Sequence, residues 1–196
     1  YFKDNINILE AGLFHRFDST NVFKQNLLTL LGVIHLDHLN WLNDKTIDGV
    51  IYEKTVSLPK SNIFINKQIN SEIKTKIEKS LVENKSKKYF FGDDFNVAKL
   101  ENGFTHYQDN LGEIILPQSN LIGDHQIFNI STSIAASRKI FNISDINIKK
   151  SMNKMRLRGR LEEIKSGKLK NLIGKNRLII DGGHNINSAI SISNWV

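Results

Sequence analysis

The chain has 196 residues, 40% of them hydrophobic and 24% charged, which suits one domain with a real core, or one domain and part of a second. No apolar run is long enough to span a bilayer, and the start Tyr1-Phe2-Lys3-Asp4 has neither an initiator Met nor the basic-then-apolar pattern of a signal peptide. With no cysteine there are no disulfides or thiolate metal sites, and a cytoplasmic location is expected.

The net charge of +7 is unevenly placed. Between Lys149 and Arg177 eleven Lys/Arg stand against Glu162 and Glu163, a local +9 that leaves −2 for the rest. No nucleic-acid recognition module accompanies this stretch, so it reads as a solvated lysine-rich surface and no nucleic-acid partner is expected.

In chain order, Ile6-Asn7-Ile8-Leu9 is a short β-prone run that enters a loop at Glu10. Leu27 to Leu36 is almost continuously apolar, the pattern of a strand buried on both faces of a parallel sheet, and it leads to Asp37-His38. Ile47, Val50, Ile51 and Lys54 predict a helix over 45–57. Asn62 to Ile65 predicts a strand, Ile73, Ile77 and Leu81 a helix over 71–83, and Tyr89-Phe90-Phe91 a third buried strand. From Phe95 to Leu116 short β-like runs are separated by turn signals at Asn102-Gly103 and Asn110-Leu111-Gly112, which predicts a small antiparallel excursion. A helix is expected over 124–141, another capped by Ser144 and ending near Met155, then a strand over 178–180 and a final helix. Strand and helix alternation makes the fold class α/β with a mainly parallel sheet. Ligands of such sheets sit beyond the carboxyl ends of the strands. Glu10, Asp37-His38, Asp93-Asp94 and Asp181 to His184 all follow strand-like runs.

On residue type alone, Glu10 and His38 could offer an oxygen and a ring nitrogen to a divalent cation, or serve as caps and surface polar groups. Lys54 could be an ordinary helical lysine. Asp181-Gly182-Gly183-His184-Asn185 has two glycines that let a ligand approach the backbone, and a carboxylate that could accept ribose hydroxyls; a plain strand-to-helix turn is the other reading. No Gly-x-x-x-x-Gly-Lys-Ser/Thr loop, Gly-x-Gly-x-x-Gly fingerprint or Gly-x-Ser-x-Gly elbow occurs in these residues.

The order of the clusters resembles the folylpolyglutamate synthase/dihydrofolate synthase branch of the Mur ligase family. Leu9-Glu10-Ala11-Gly12-Leu13-Phe14-His15-Arg16-Phe17-Asp18-Ser19-Thr20-Asn21 is similar to that branch's Leu-Glu-Val-Gly-Leu-Gly-Gly-Arg-Leu-Asp-Ala-Thr-Asn. Asp37-His38 and Glu53-Lys54 resemble its Asp-His and Glu-Lys-Ala-Gly, and Gly92-Asp93-Asp94-Phe95 its Gly-Arg-Asp-Phe. Gly123-Asp124-His125-Gln126-Ile127-Phe128-Asn129 is similar to Gly-x-His-Gln-x-x-Asn, Arg158-Gly159-Arg160-Leu161-Glu162 to Pro-Gly-Arg-Leu-Glu, and Asp181 to Asn185 to Asp-Gly-Ala-His-Asn.

The resemblance implies an ATP-dependent ligase that joins L-glutamate to folate or dihydropteroate through an acyl phosphate. It implies magnesium ligands at Glu10 and His38, and at Lys54 the lysine that the family carbamylates. Asn129 would lie by adenine, Arg160 and Asp181 by the phosphates and ribose, with His184 nearby; Arg16 and Asp18 would lie in the substrate loop. It implies a partial Mur-ligase-like ATP-binding domain over 1–154, then an interdomain linker and the start of a Rossmann-like C-terminal domain over 155–196. The phosphate-binding loop would lie upstream of Tyr1. The family is monomeric, and a fragment would need a complementing chain. Phe14-His15 replaces a Gly-Gly pair, Thr55-Val56 replaces Ala-Gly, Leu157-Arg158 replaces Trp-Pro, and Gly32 stands where a Thr is expected.

Overall fold

Ladder pairing separates a parallel sheet from two antiparallel ones in the computed structural model, which describes residues 6–196. The segment before Ile6 lies outside the described residues. The chain forms two compact units, one ending at Phe90 and one running from Phe91 to Val196. This division by compactness differs from the expected 154/155 boundary.

In the first unit, strands β1 (Gln25–Leu31), β2 (Lys60–Ile65) and β3 (Lys87–Phe90) form a parallel sheet in that order. Helix α1 (Ile47–Thr55) connects β1 to β2, and α2 (Ser71–Ser80) connects β2 to β3. The central strand is the buried one: Ile63, Phe64 and Ile65 are closed to solvent. Ile63 and Ile65 pack with Leu31, Ile34, Val50, Ile51, Ile73, Ile77 and Leu81, so the period-four apolar face of α2 meets the sheet as its pattern predicts. Thr46 caps α1 by accepting from Gly49 N at 3.3 Å, and Asn70 caps α2 by accepting from Ile73 N at 2.9 Å. Gly49 is fixed by space, because a Cβ there would sit 2.1 Å from Asp44 O.

Two expectations change. Ile6 to Leu9 pairs with no strand among the described residues, so its β propensity stays unused. The run Leu27–Leu36 is a strand only to Leu31. Among the described residues β1 pairs with β2 alone, and Leu27 (57%) and Leu30 (47%) remain exposed where burial on both faces was expected. Past Leu31 the backbone leaves the ladder. The buried Gln68 amide then holds it, accepting from Ile34 N at 2.9 Å and donating to Gly32 O at 3.2 Å and Asn66 O at 2.8 Å. That clamp fixes the start of the segment that carries His35, Asp37 and His38.

In the second unit, β4 (Phe95–Lys99), β5 (Thr105–Asp109) and β6 (Gly112–Leu116) form the expected antiparallel excursion. Its alternate residues Phe95, Val97, Tyr107, Ile114 and Leu116 are buried. They face α3 (His125–Phe141) and α4 (Asp145–Met152), of which α3 buries Ile130, Ile134 and Ala135. Asn142 ends α3 in the left-handed conformation, a usual stop. Ser144 stands at the N-cap of α4 with no capping bond from its side chain. A two-residue antiparallel ladder joins β7 (Glu162–Glu163) to β8 (Ile179–Ile180) around α5 (Lys168–Leu172); the sequence reading missed β7 and α5. Asn185 caps the last helix, α6 (Ile186–Trp195), accepting from Ser188 N at 3.0 Å. The fold is α/β, with its parallel strands confined to the first unit among the described residues. No described helix is long and apolar enough to cross a membrane.

Candidate functional site

Asp18 organises the loop over 12–21 in the first unit. Its carboxylate accepts from Gly12 N at 2.9 Å, Leu13 N at 3.0 Å, Thr20 N at 2.9 Å and the Thr20 hydroxyl at 2.6 Å. These donors, the Thr20 hydroxyl first, hold the Asp18 carboxyl well below the usual carboxylate range. The loop lies on the end of α1: the His15 and Arg16 amides donate to Glu53 O at 3.2 and 3.1 Å, and the Arg16 guanidinium pairs with the Glu53 carboxylate at 3.1 Å. Arg16 also lies 4.6 Å from the Phe17 ring centre and 5.3 Å from that of Tyr52.

The loop is one wall of a cavity of about 570 Å³. Phe14, Phe17, Trp41 and Tyr52 give it four aromatic side chains, and Arg16, Asp18, Asp44 and Glu53 give it one cation and three carboxylates. Flat apolar walls with a few charged groups suit a planar heteroaromatic ligand that carries its own donors. Arg16 and Asp18, the expected substrate residues, both line it. Trp41 does too, and the sequence reading missed it: Trp41 is 75% exposed and sits in a one-turn 3-10 segment, Leu39–Trp41, that no periodicity announces.

Phe14 adjoins a cluster of titratable groups. It keeps a left-handed backbone, φ 52°, at a position where the resembled family has glycine. Its ring lies 5.7 Å from Lys54 Nζ and meets the His38 ring edge-on at 6.1 Å. Burial lowers the Lys54 pKa, partly opposed by the Asp37 carboxylate. Asp37 Oδ2 lies 3.6 Å from His35 Nε2 and 3.8 Å from His38 Nε2, and burial, against that carboxylate, also lowers the pKa of His35. His38 itself has a left-handed backbone, φ 54°, with its amide donating to Asp37 Oδ1 at 2.9 Å. Lys54 and His38 thus share the Phe14 ring and the Asp37 charge as neighbours. Glu10, the other expected metal ligand, is exposed on the strand-free segment before the loop. Asp37 is the carboxylate beside His38, and the sequence reading assigned it no role.

In the second unit the β7–β8 ladder brings the loop over 158–162 against that over 181–185. Asp181 joins them, accepting from Leu161 N at 2.7 Å and Gly183 N at 2.6 Å, and Gly182 N donates to Gly159 O at 2.8 Å. The approach is close: a Cβ on Gly182 would lie 3.1 Å from Arg160 Nη1, and one on Gly183 2.7 Å from Asp181 Oδ1. His184 Nδ1 lies 3.1 Å from Gly182 O. Arg160, Asp181 and His184, expected together, are held on these two loops. His125, from the first turn of α3, feels the same charges. Burial lowers its pKa, Asp181 and Asp124 oppose this, and Arg160 adds to it. Asn129 sits one turn further along α3, donating to Gln126 Oε1 at 3.1 Å, while Gln126 Nε2 lies 3.0 Å from His125 Nε2. The sequence reading gave His125 no role, although it lies inside the quoted motif.

No protein-family model matches the chain. It is 22% identical over 97% of its length to a probable dihydrofolate synthetase of Schizosaccharomyces pombe, and covers 45% of that protein. The apo folylpolyglutamate synthase of Lactobacillus casei superposes over 95% of this chain and 45% of its own, with a TM-score of 0.75 at 23% identity. The Mycobacterium tuberculosis folylpolyglutamate synthase complexed with ADP and AMPPCP superposes over 94% of this chain and 42% of its own, with a TM-score of 0.76 at 20% identity. A folylpolyglutamate synthase–AMPPCP–folate complex matches as well, with a TM-score of 0.76 at 22% identity. The motif resemblance and the structural likeness agree: the chain has the fold of the folylpolyglutamate synthases and spans about half the length of the relatives it matches.

Proposed function

We propose that the chain is part of an ATP-dependent ligase that adds L-glutamate to folate or dihydropteroate. The aromatic cavity beside Arg16 and Asp18 carries the reading, because it offers what a planar pterin-like ring with an anionic tail asks for. The fold supports it independently, since the similar structures include complexes with AMPPCP, ADP and folate.

In this reading a substrate carboxylate oxygen attacks the γ-phosphorus of ATP and ADP leaves. The glutamate amino nitrogen then attacks the acyl carbon, inorganic phosphate departs, and the nitrogen loses a proton to give the amide. Arg16, steadied by Glu53 and two rings, binds an anionic part of the substrate. Asp18 holds the loop that carries it. Arg160, Asp181, His184 and Asn129 form the nucleotide side, where a guanidinium offsets charge on the phosphates and a carboxylate takes ribose hydroxyls. Functionally, 1–154 then serves as a Mur-ligase-like ATP-binding domain and 155–196 as the linker and start of a Rossmann-like domain. In this reading the ligase works in the cytoplasm.

Magnesium would be held by His38, with Glu10 or the adjoining Asp37 supplying the oxygen that this hard cation prefers. The Asp37 carboxylate between two imidazoles fits that use. When bound, the ion would neutralise phosphate charge. Lys54, its pKa lowered by burial, offers a neutral amine more readily than an exposed lysine does, which suits carbamylation.

Phe14 favours a second reading, a nucleotide-binding module without turnover, because its ring occupies space beside Lys54 and His38 that a glycine would leave open. Calorimetry with pteroate and with Mg-ATP tests the first reading. One-site binding of both supports it, and binding of neither overturns it. Glutamate-dependent phosphate release would sink the second.

A further inference from the structure

The residue after Phe14 is also large where the resembled family has glycine, and it builds something glycine cannot. His15 Nδ1 lies 3.0 Å from Ser57 Oγ, just past the end of α1. Asn21, at the far end of the same loop, donates through one amide nitrogen to Ser57 Oγ at 3.0 Å and to Arg16 O at 3.0 Å. The hydroxyl accepts from Asn21, which leaves its own O–H free to donate to the unprotonated Nδ1 of a neutral His15. Both ends of the loop converge on one oxygen. Between those ends lie Arg16 and Asp18, which line the aromatic cavity.

We infer that His15 is a positioning residue: through Ser57 and Asn21 it fastens the loop over 12–21 to the end of α1 and so sets the cavity wall that presents Arg16. The inference rests on the substrate reading for its functional consequence, but the latch itself does not.

The charged groups around His15 are Asp18 and Arg16 on its own loop and Glu53 on α1, whose carbonyl takes the His15 amide. Burial lowers the His15 pKa, and Asp18 opposes this without reversing it. A proton thus binds better to an undocked, hydrated ring than to the docked one. Docking is complete above the ordinary histidine pKa of about 6.5 and is lost as pH falls through the lower, docked value.

Amide hydrogen exchange at His15 and Arg16, whose N–H groups meet Glu53 O only when the loop is docked, reads the latch without any ligand. His15→Leu and Ser57→Ala should each cut protection there by roughly fivefold to thirtyfold, the effect of one or two net hydrogen bonds, while α2 amides stay unchanged. His15→Asn keeps an acceptor near the Nδ1 position and should restore protection. It should also lose the wild-type decline between pH 8 and pH 5. Unchanged protection in His15→Leu, or the same pH decline in His15→Asn, overturns the latch. Pteroate binding is measured on the same proteins. Failure of the wild type to bind pteroate at pH 8 overturns the substrate reading, and exchange alone then decides the latch. Binding that weakens in His15→Leu and recovers in His15→Asn supports both.

Discussion

Lys54 Nζ lies 5.7 Å from the centre of the Phe14 ring, on a residue whose backbone is left-handed. Lost hydration is the main cause of the lowered Lys54 pKa, and an aromatic ring at this distance takes the place of water on one side of the amine. Phe14→Gly should therefore raise the Lys54 pKa toward its ordinary value, measured as the pH dependence of Lys54 modification. It removes a half-buried ring but relieves the φ 52° strain, so the net loss of stability should be about 1–2 kcal/mol. An unchanged Lys54 titration would show that the ring is not what dries the amine.

Arg138 and Asp109 form the most buried ion pair among the described residues, at 2.7 Å with side chains 9% and 6% exposed. Tyr107 donates to the same carboxylate at 2.9 Å, and Arg138 reaches Gly112 O at 3.0 Å, so one network holds the β5–β6 turn on α3. Arg138→Met strands a buried carboxylate and should cost about 3–5 kcal/mol in urea unfolding. Adding Asp109→Asn should recover part of that loss, because a neutral side chain removes the uncompensated charge and still accepts from Tyr107 or Leu111 N. A double variant no better than the single one would contradict this.

Asp18 should remain ionised below the ordinary carboxylate pKa of about 3.9. Its depressed pKa means that its contribution to loop order is fully present above that value and is lost only as pH falls through the lower one. Carboxyl NMR chemical shifts should follow Asp18 to a midpoint below the ordinary carboxylate value. Asp18→Asn, which keeps one accepting oxygen, should weaken pteroate binding by about tenfold, the effect of one charge-assisted hydrogen bond.

Asp181 ties two loops through bonds of 2.7 and 2.6 Å, so its loss should act on Arg160 at a distance. Asp181→Ala and Arg160→Ala should each lower ADP affinity, by roughly tenfold or more. Gly183→Ala should match them without touching either side chain, because its Cβ would lie 2.7 Å from Asp181 Oδ1 and 2.6 Å from Ser188 Cβ. Normal ADP affinity in Gly183→Ala would separate the turn from the nucleotide site.

Local patterns carried much of this structure. Helices α1, α2 and α3, and the β4–β6 meander, follow directly from periodicity and turn residues, which depend on near neighbours. Leu27 to Leu36 was misread because an apolar run cannot state how many strands will flank it; here the ladder ends at Leu31 and a distant amide, Gln68, takes over. The left-handed backbone at Phe14 is equally invisible, since nothing in a phenylalanine announces φ 52°. The motif around Arg16 and Asp18 singled them out, and both line the cavity. Trp41 was not, because it reaches the cavity from a single turn after the sheet. Residue type and resemblance both named Glu10 with His38, and neither announced that Asp37 Oδ2 lies 3.8 Å from that imidazole.

The two tryptophans of the chain, Trp41 and Trp195, lie in different units, and Trp41 lines the aromatic cavity. Titrating pteroate into the Trp195→Phe protein at pH 8 while following Trp41 emission tests the central claim most directly. Saturable quenching that weakens in Arg16→Ala is the predicted result. Trp41 emission that does not respond to pteroate at millimolar concentration would contradict the claim that this cavity receives the pterin-bearing substrate.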